Sequence, residues 1–272
     1  MLDLHSIRAQ PETRFAPIHG TLNESVKHSP RQNKLLAALP REHYERLLPR
    51  LEPVPLPMGC TIHGANAEEK HLYFLSGGLV SRYQEIENGA STQFAETGRE
   101  GVIGIASFLG GASTPSRAVV LSAGYAYRLA AGLVKQEVDH DSPLARLLIS
   151  YIQALITQTG QIVVCNRHHS LEHRLCRWLL SSLDRLPSNE VVITQEVIAY
   201  MLGVRREGIT QAVGRLEEAR LIHHSRGHTI LLDRPGMKAR ACECYQVVKR
   251  EYDRLLLKYR QAEVVNNGAT YY

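Results

Sequence analysis

No cysteine precedes position 60 in this chain of 272 residues, and the five that follow, Cys60, Cys165, Cys176, Cys242 and Cys244, are odd in number and irregularly spaced. Such a set describes no disulfide framework and suits a reducing compartment. There is no C-x-x-C pair. The nearest approach is Cys242-Glu-Cys244, and residues two apart on a helix point to different sides, so no metal site is expected there. No uninterrupted apolar run approaches the ~18 residues of a membrane span. The first ten residues mix Asp3, His5 and Arg8 with apolar side chains, which is not the pattern of a signal peptide, and a cytoplasmic location is expected. Catalytic signatures are missing as well. Without a nucleophile elbow, phosphate loop, H-E-x-x-H or paired carboxylates, an enzyme is the least favoured class, and no catalytic residue is nominated.

What remains is ordinary soluble composition, 44% hydrophobic and 22% charged, in a chain long enough for two domains. A net charge of +5 tilts mildly towards a polyanionic partner. Residues 1–30 hold Pro11, Pro17, Gly20 and Pro30 among polar residues and read as a loosely ordered arm. A short helix is expected from Gln32 to Leu48, with Pro40 starting a second turn. From Leu51 to about Leu133, short apolar runs alternate with turns: 71–75, 78–83, 91–94, 117–121 and 124–129. They predict an antiparallel barrel or sandwich, with Asn88-Gly89 in a type I′ hairpin.

The texture changes at Pro143. Leu144, Leu148, Tyr151, Leu155, Gln158, Ile162 and Cys165 fall at steps of four and three, the seam of a helix that buries itself against another element. That element is either the β domain of the same chain or a second copy. The length of the helix favours a parallel homodimer, with Gln158 as the one polar seam position fixing register. Beyond Ser170 come a helix, a strand at 191–193, a helix pair and a hairpin flanking Gly227, the order of a winged helix. Tyr245, Val248, Tyr252 and Leu255 then mark a helical extension. The fold class is α+β.

The function-bearing segment is Thr194 to Leu216. Thr194 is an N-cap candidate, Val197, Ile198, Met201 and Leu202 stripe a short helix, and Gly203 supplies a left-handed turn residue. Ile209, Val213 and Leu216 form the apolar side of the next helix, opposite Arg205, Arg206, Gly208, Gln211 and Arg215. A helix entering a major groove needs such a face, with long donors for guanine edges and phosphates and small residues where the backbone comes close. Arg226 sits on the hairpin tip beside His223, His224 and His228, where it can touch a phosphate. The three histidines lack a fourth ligand, so zinc is not expected on the tip.

The run from Ile193 to Glu217, ITQEVIAYMLGVRREGITQAVGRLE, resembles the DNA-binding domain of the Crp/Fnr family of bacterial regulators, and the order of parts agrees over residues 31–235. The resemblance implies a cyclic-nucleotide-binding-like β-roll over 31–141, a dimerisation helix over 142–168 and a winged helix over 169–235, leaving 236–272 as an extension. It places Arg206 and Glu207 on the family's base-reading Arg-Glu pair, donating to guanine and accepting from cytosine. Gln211 falls where the best-known members carry a second arginine, so the operator is this protein's own. Arg205 becomes a phosphate or base contact, and Thr194 a cap that also reaches phosphate.

Family members that bind cyclic AMP use a glutamate for the ribose and an Arg-Ser or Arg-Thr pair for the phosphate. The matching positions here read Ile105 and Arg117-Ala118. Losing charged hydrogen bonds of ~1.5–3 kcal/mol each argues against that ligand, and leaves Arg117 as the one candidate effector contact. The oxygen-sensing branch uses an N-terminal cysteine cluster, which residues 1–59 do not supply; His63, His71 and Cys60 are the available haem ligands. The effector and any cofactor stay unassigned. The expected partners are near-palindromic double-stranded DNA, a second copy of the chain and RNA polymerase. The competing class is an effector-binding module whose winged helix contacts protein.

Overall fold

The computed structural model describes residues 28–138 and 142–267, so the arm expected over 1–30 lies almost wholly outside the described residues. The chain enters through Asn33, fully buried, which caps α1 (Lys34–Ala37) by accepting from the amides of Leu35 and Leu36. Its amide group donates to Leu75 O and Gly101 O at 3.0 and 2.9 Å, fastening this lead-in to the β domain. Helix α2 (Arg41–Leu47) starts after Pro40. The expected helix over 32–48 is therefore two short ones, because proline cannot donate within a helix.

Eight strands follow: β1 (Glu52–Leu56), β2 (Thr61–His63), β3 (His71–Leu75), β4 (Leu79–Glu85), β5 (Ser91–Thr97), β6 (Val102–Ile103), β7 (Arg117–Ser122) and β8 (Gly124–Ala130). They make two four-stranded antiparallel sheets ordered β1-β8-β3-β6 and β2-β7-β4-β5. Pro53 and Pro55 are tolerated in β1 because it is an edge strand. The strand reading over 51–133 misses α3 (Ile105–Leu109) and overlaps the start of α4 (Ala131–Val138), both too short to show a helical period.

One turn differs from expectation. Type I′ needs two left-handed residues, and at the β4–β5 hairpin only Gly89 (φ 80°) is one; Asn88 instead accepts from Ala90 N through its side chain. The pair occurs further on. Arg226 (φ 47°) and Gly227 (φ 83°) join β10 (Ile222–Ser225) to β11 (His228–Leu231), with Ser225 opposite His228.

Helix α5 (Pro143–His168) begins with Ser142 accepting from Ala145 N and proline in the first turn. Its predicted seam needs correction. Leu144, Leu148, Tyr151, Leu155, Gln158, Ile162 and Cys165 are all buried inside the chain, against β5 and against α10 (Cys244–Asn267), which packs along α5. Tyr151 bonds Val102 O at 3.0 Å and lies 3.2 Å from Thr97 Oγ1. Gln158 donates to Glu96 O and accepts from Arg185. None of these is free to meet a partner. A second apolar row is: Ile149, Ile156 and Val163, seven residues apart, are 59%, 66% and 64% exposed. By length and a mean hydropathy of 1.4, α5 is apolar enough to cross a membrane, yet its inward face is the wall of the protein's own core.

The second half comprises α6 (Leu171–Leu183), β9 (Glu190–Val192), α7 (Gln195–Leu202), α8 (Arg206–Glu218), the β10–β11 hairpin and α9 (Arg234–Arg240), with a sheet ordered β10-β11-β9. It is docked on the β domain through a shared apolar cluster, in which Leu79, Tyr83, Val119 and Leu121 join the core of the second half, and through polar contacts. Trp178 donates to Gln93 Oε1 at 2.8 Å, Ser91 to Tyr200 O at 2.6 Å, and Arg185 to Glu100 at 2.6 Å.

Candidate nucleic-acid interface

Helices α7 and α8 form the expected helix-turn-helix. Thr194 Oγ1 accepts from Val197 N at 3.2 Å, which satisfies a free donor at the start of α7. Gly203 closes α7 in the left-handed conformation (φ 64°, ψ 43°). A Cβ there would also meet Thr92 Oγ1 at 2.7 Å, so glycine is needed both for the turn and for docking on β5. Ile209, Ala212, Val213 and Leu216 bury the inner side of α8, and Thr210 donates to Gln195 at 2.7 Å to pin the two helices together.

The outer side of α8 presents Arg205, Arg206, Glu207 and Gln211, all exposed. Two residues assigned to that face also make contacts with α6. Arg215 is held by Glu172 of α6 at 2.7 Å, and Glu172 also collects Arg240 at 3.0 Å, anchoring both. Gly208 is half-buried against α6, where an added Cβ would lie 2.9 Å from Leu171. Its small size serves helix packing rather than a groove.

On the wing, the histidines go to separate partners: His224 to Thr229 at 2.8 Å, His228 to Glu190 at 2.6 Å and His223 towards Glu217 at 3.7 Å. Burial pushes the His224 imidazole below its ordinary value, which leaves it neutral at neutral pH. Arg226 is exposed at the tip. A non-glycine residue in left-handed backbone costs ~1–2 kcal/mol. Arg226→Gly is therefore expected to raise folding stability by up to about 1 kcal/mol in urea titration; a destabilised variant would mean that contacts of the arginine hold the turn.

The β domain carries a half-open cavity of about 350 Å³ whose lining includes Glu69, Arg82, Phe94, Ile105 and Ser116, within the ordinary range of ligand pockets. Arg117 is not among the lining residues; it lies 3.9 Å from Glu85 on the neighbouring strand. The arginine that does reach the cavity is Arg82, buried, with Nε unpartnered and Nη2 donating to Tyr151 at 3.3 Å. Glu69 caps α3 by accepting from Ala106 N at 2.7 Å and lies 3.3 Å from His63. Burial pushes the His63 imidazole down, against the pull of Glu69. His63 and His71 share a separate cavity of about 170 Å³, below the ~300 Å³ at the small end of ligand pockets and too small for haem. Arg82 carries no local motif, which is why sequence reasoning passes over it.

A β-roll thus feeds a long helix and then a winged helix-turn-helix. Residues 53–141 match the family model for the cyclic nucleotide-binding domain, and residues 173–240 the model for the Crp-like helix-turn-helix domain, together more than half of the chain. The fold is similar to that of FixK2 from Bradyrhizobium japonicum (TM-score 0.62, 16% identity, 71% of this chain and 98% of that one). It is also similar to a CRP-family transcriptional regulator from Thermus thermophilus (0.58, 19%, 70% and 96%). A third similar structure is CLP, a c-di-GMP responsive global regulator from Xanthomonas campestris (0.58, 14%, 71% and 100%). At these identities the likeness is one of fold. No curated protein sequence matches. The chain belongs to the Crp/Fnr family of transcription regulators, which are not enzymes.

Proposed function

We propose that the chain acts as a cytoplasmic homodimer that reads a near-palindromic DNA site with α8 in the major groove. The observation that carries this is the row of Arg205, Arg206, Glu207 and Gln211 on the exposed side of α8, with Arg226 exposed on the wing. Arg206 donates to a guanine edge, Glu207 accepts from a cytosine amino group, and Gln211 reads a further base. Arg205, Arg226 and the start of α7 at Thr194 meet phosphates.

Dimerisation is assigned to the outer stripe of α5. Ile149, Ile156 and Val163 follow heptad spacing, and Gly160 stands open among them, so two copies can approach closely in parallel. That pairing sets two α8 helices about one DNA turn apart. The β-roll cavity is the effector site. Ile105 in its wall and Ala118 after Arg117 argue against cyclic AMP; Arg82 points to an anionic effector of another shape. RNA polymerase is the protein partner at a promoter.

Arg206→Ala is expected to relax preference at one base pair by about 1–3 kcal/mol, whereas Arg226→Ala weakens all sequences alike and lowers the salt dependence by about one counterion. Binding isotherms over a panel of single-base variants at two salt concentrations distinguish the two. Identical behaviour of both variants would contradict the division of roles.

A further inference from the structure

Four side chains from two distant stretches converge where α5 ends. Cys165 and His169 lie four residues apart, on one side of the last turn of α5 and its cap, and Cys242 and Cys244 flank the start of α10. Cys242 precedes that helix rather than lying in it, so the rule that residues two apart diverge on a helix does not apply, and both sulfurs turn inward. The four ligand atoms all lie within 4.8 Å of one another, and the three cysteines are buried as a cluster of their own.

The distances discriminate among occupants. Bonds of about 2.3 Å to sulfur and about 2.0–2.1 Å to nitrogen, at tetrahedral angles, place ligand atoms about 3.8 Å apart for sulfur pairs and about 3.6 Å apart for sulfur and nitrogen. Cys165 Sγ and Cys242 Sγ are 3.6 Å apart, and Cys244 Sγ and His169 Nδ1 are 3.5 Å apart. An iron–sulfur cluster spreads its ligands over several irons and separates them further. A disulfide requires about 2.05 Å and would leave a thiol and an imidazole without a role. Hard cations such as calcium and magnesium take oxygen ligands, not thiolates.

The surroundings also fit a metal centre. The other nitrogen of His169 lies 3.4 Å from the Glu243 carboxylate, the outer partner that orients a metal-bound imidazole. Gln161 Nε2 donates to Cys244 Sγ at 3.2 Å. Three thiolates and a divalent cation carry one net negative charge, and the buried guanidinium of Arg177 lies beside Cys165 to offset it.

We infer that Cys165, His169, Cys242 and Cys244 form a closed Cys3His site for a single zinc-class divalent ion. With all four positions supplied by protein, the site is structural rather than catalytic. It fixes α10 against the end of α5 and sits at the α5–α6 joint, the covalent link between the β-roll and the DNA-binding half.

The test uses the full-length protein purified under reducing conditions. Elemental analysis is expected to find about one zinc per chain, and cobalt replacing it should give the intense visible bands and thiolate charge-transfer absorption of a tetrahedral site. Removing the metal should expose three further thiols to alkylation, identified by mass spectrometry as Cys165, Cys242 and Cys244. Cys244→Ser should lose metal by at least tenfold in affinity, Glu243→Gln should weaken it by roughly 10–100-fold, and Cys60→Ser, at an exposed and distant position, should leave it unchanged. Because the cobalt spectrum is read on the wild-type protein, a poorly folding variant does not decide the matter. A folded wild-type protein that binds no cobalt tetrahedrally, a spectrum unaltered in Cys244→Ser, or a Cys165–Cys242 disulfide found in the reduced preparation would overturn the assignment.

Discussion

Replacing Arg185 with methionine should cost about 3–5 kcal/mol of folding stability, far more than loss of an exposed ion pair. The Arg185 side chain is buried, with Nε donating to Glu100 at 2.6 Å, Nη1 3.7 Å from Glu96, and further bonds to Ser181. Burial works against the charge of the guanidinium, but the two carboxylates outweigh it and hold its pKa above the ordinary value. Glu96 and Glu100 are themselves buried. Removing the arginine leaves two carboxylates desolvated and uncompensated, which is the costly way to break a buried pair. The arginine follows α6 and the glutamates lie on and after β5, so the same change loosens the docking of the DNA-binding half on the β-roll. Urea unfolding should show a lower midpoint with an unchanged slope; a loss under about 1 kcal/mol would mean that water already screens the cluster.

A charge on the outer stripe of α5 should act on assembly instead of on the fold. Ile156 is 66% exposed, so Ile156→Lys should leave thermal stability of the single chain nearly untouched. In the proposed dimer the same residue sits in a heptad seam, where two lysines would face each other across an apolar interface. Sedimentation should then report monomer. Affinity for a palindromic site should fall by roughly 10²–10⁴, the advantage that linking two half-site readers provides. A variant that stays dimeric would move the interface off this stripe.

What is legible in the sequence is local. Thr194, Gly203 and the Ile209–Val213–Leu216 row lie within one helix-turn-helix, where cap, turn and stripe are each set by neighbouring residues, and all are found in those roles. The strands at 71–75, 117–121 and 124–129 are equally clear, since each is a short apolar run bounded by turn residues. The heptad row from Leu144 to Cys165 shows the limit of such signals. Periodicity encodes burial but not the identity of the covering element, which here is the chain's own β5 and α10. The exposed row of Ile149, Ile156 and Val163 has the same period on the same helix and is masked by it.

Contacts made across long sequence separations are not legible. Arg82 reaches the cavity from the middle of β4, while Arg117, nominated by position, points to Glu85. Helical spacing puts Arg215 on the reading face, where it is half-exposed, but cannot show that Glu172 of α6 pairs with it. Cys165 lies 77 residues from Cys242, and no spacing rule joins them. The left-handed pair at Arg226-Gly227 is hidden because arginine is a poor predictor of such backbone, whereas Asn88-Gly89 satisfies the pattern without adopting it.

The central claim is that two copies of α8 read DNA together. Selection of bound duplexes from a random pool by the purified full-length protein, with and without a cell metabolite extract, tests it most directly. The expected result is enrichment of a two-fold symmetric site whose half-sites lie one helical turn apart, with G·C pairs at the positions read by Arg206 and Glu207. Enrichment of no symmetric site under either condition would contradict it.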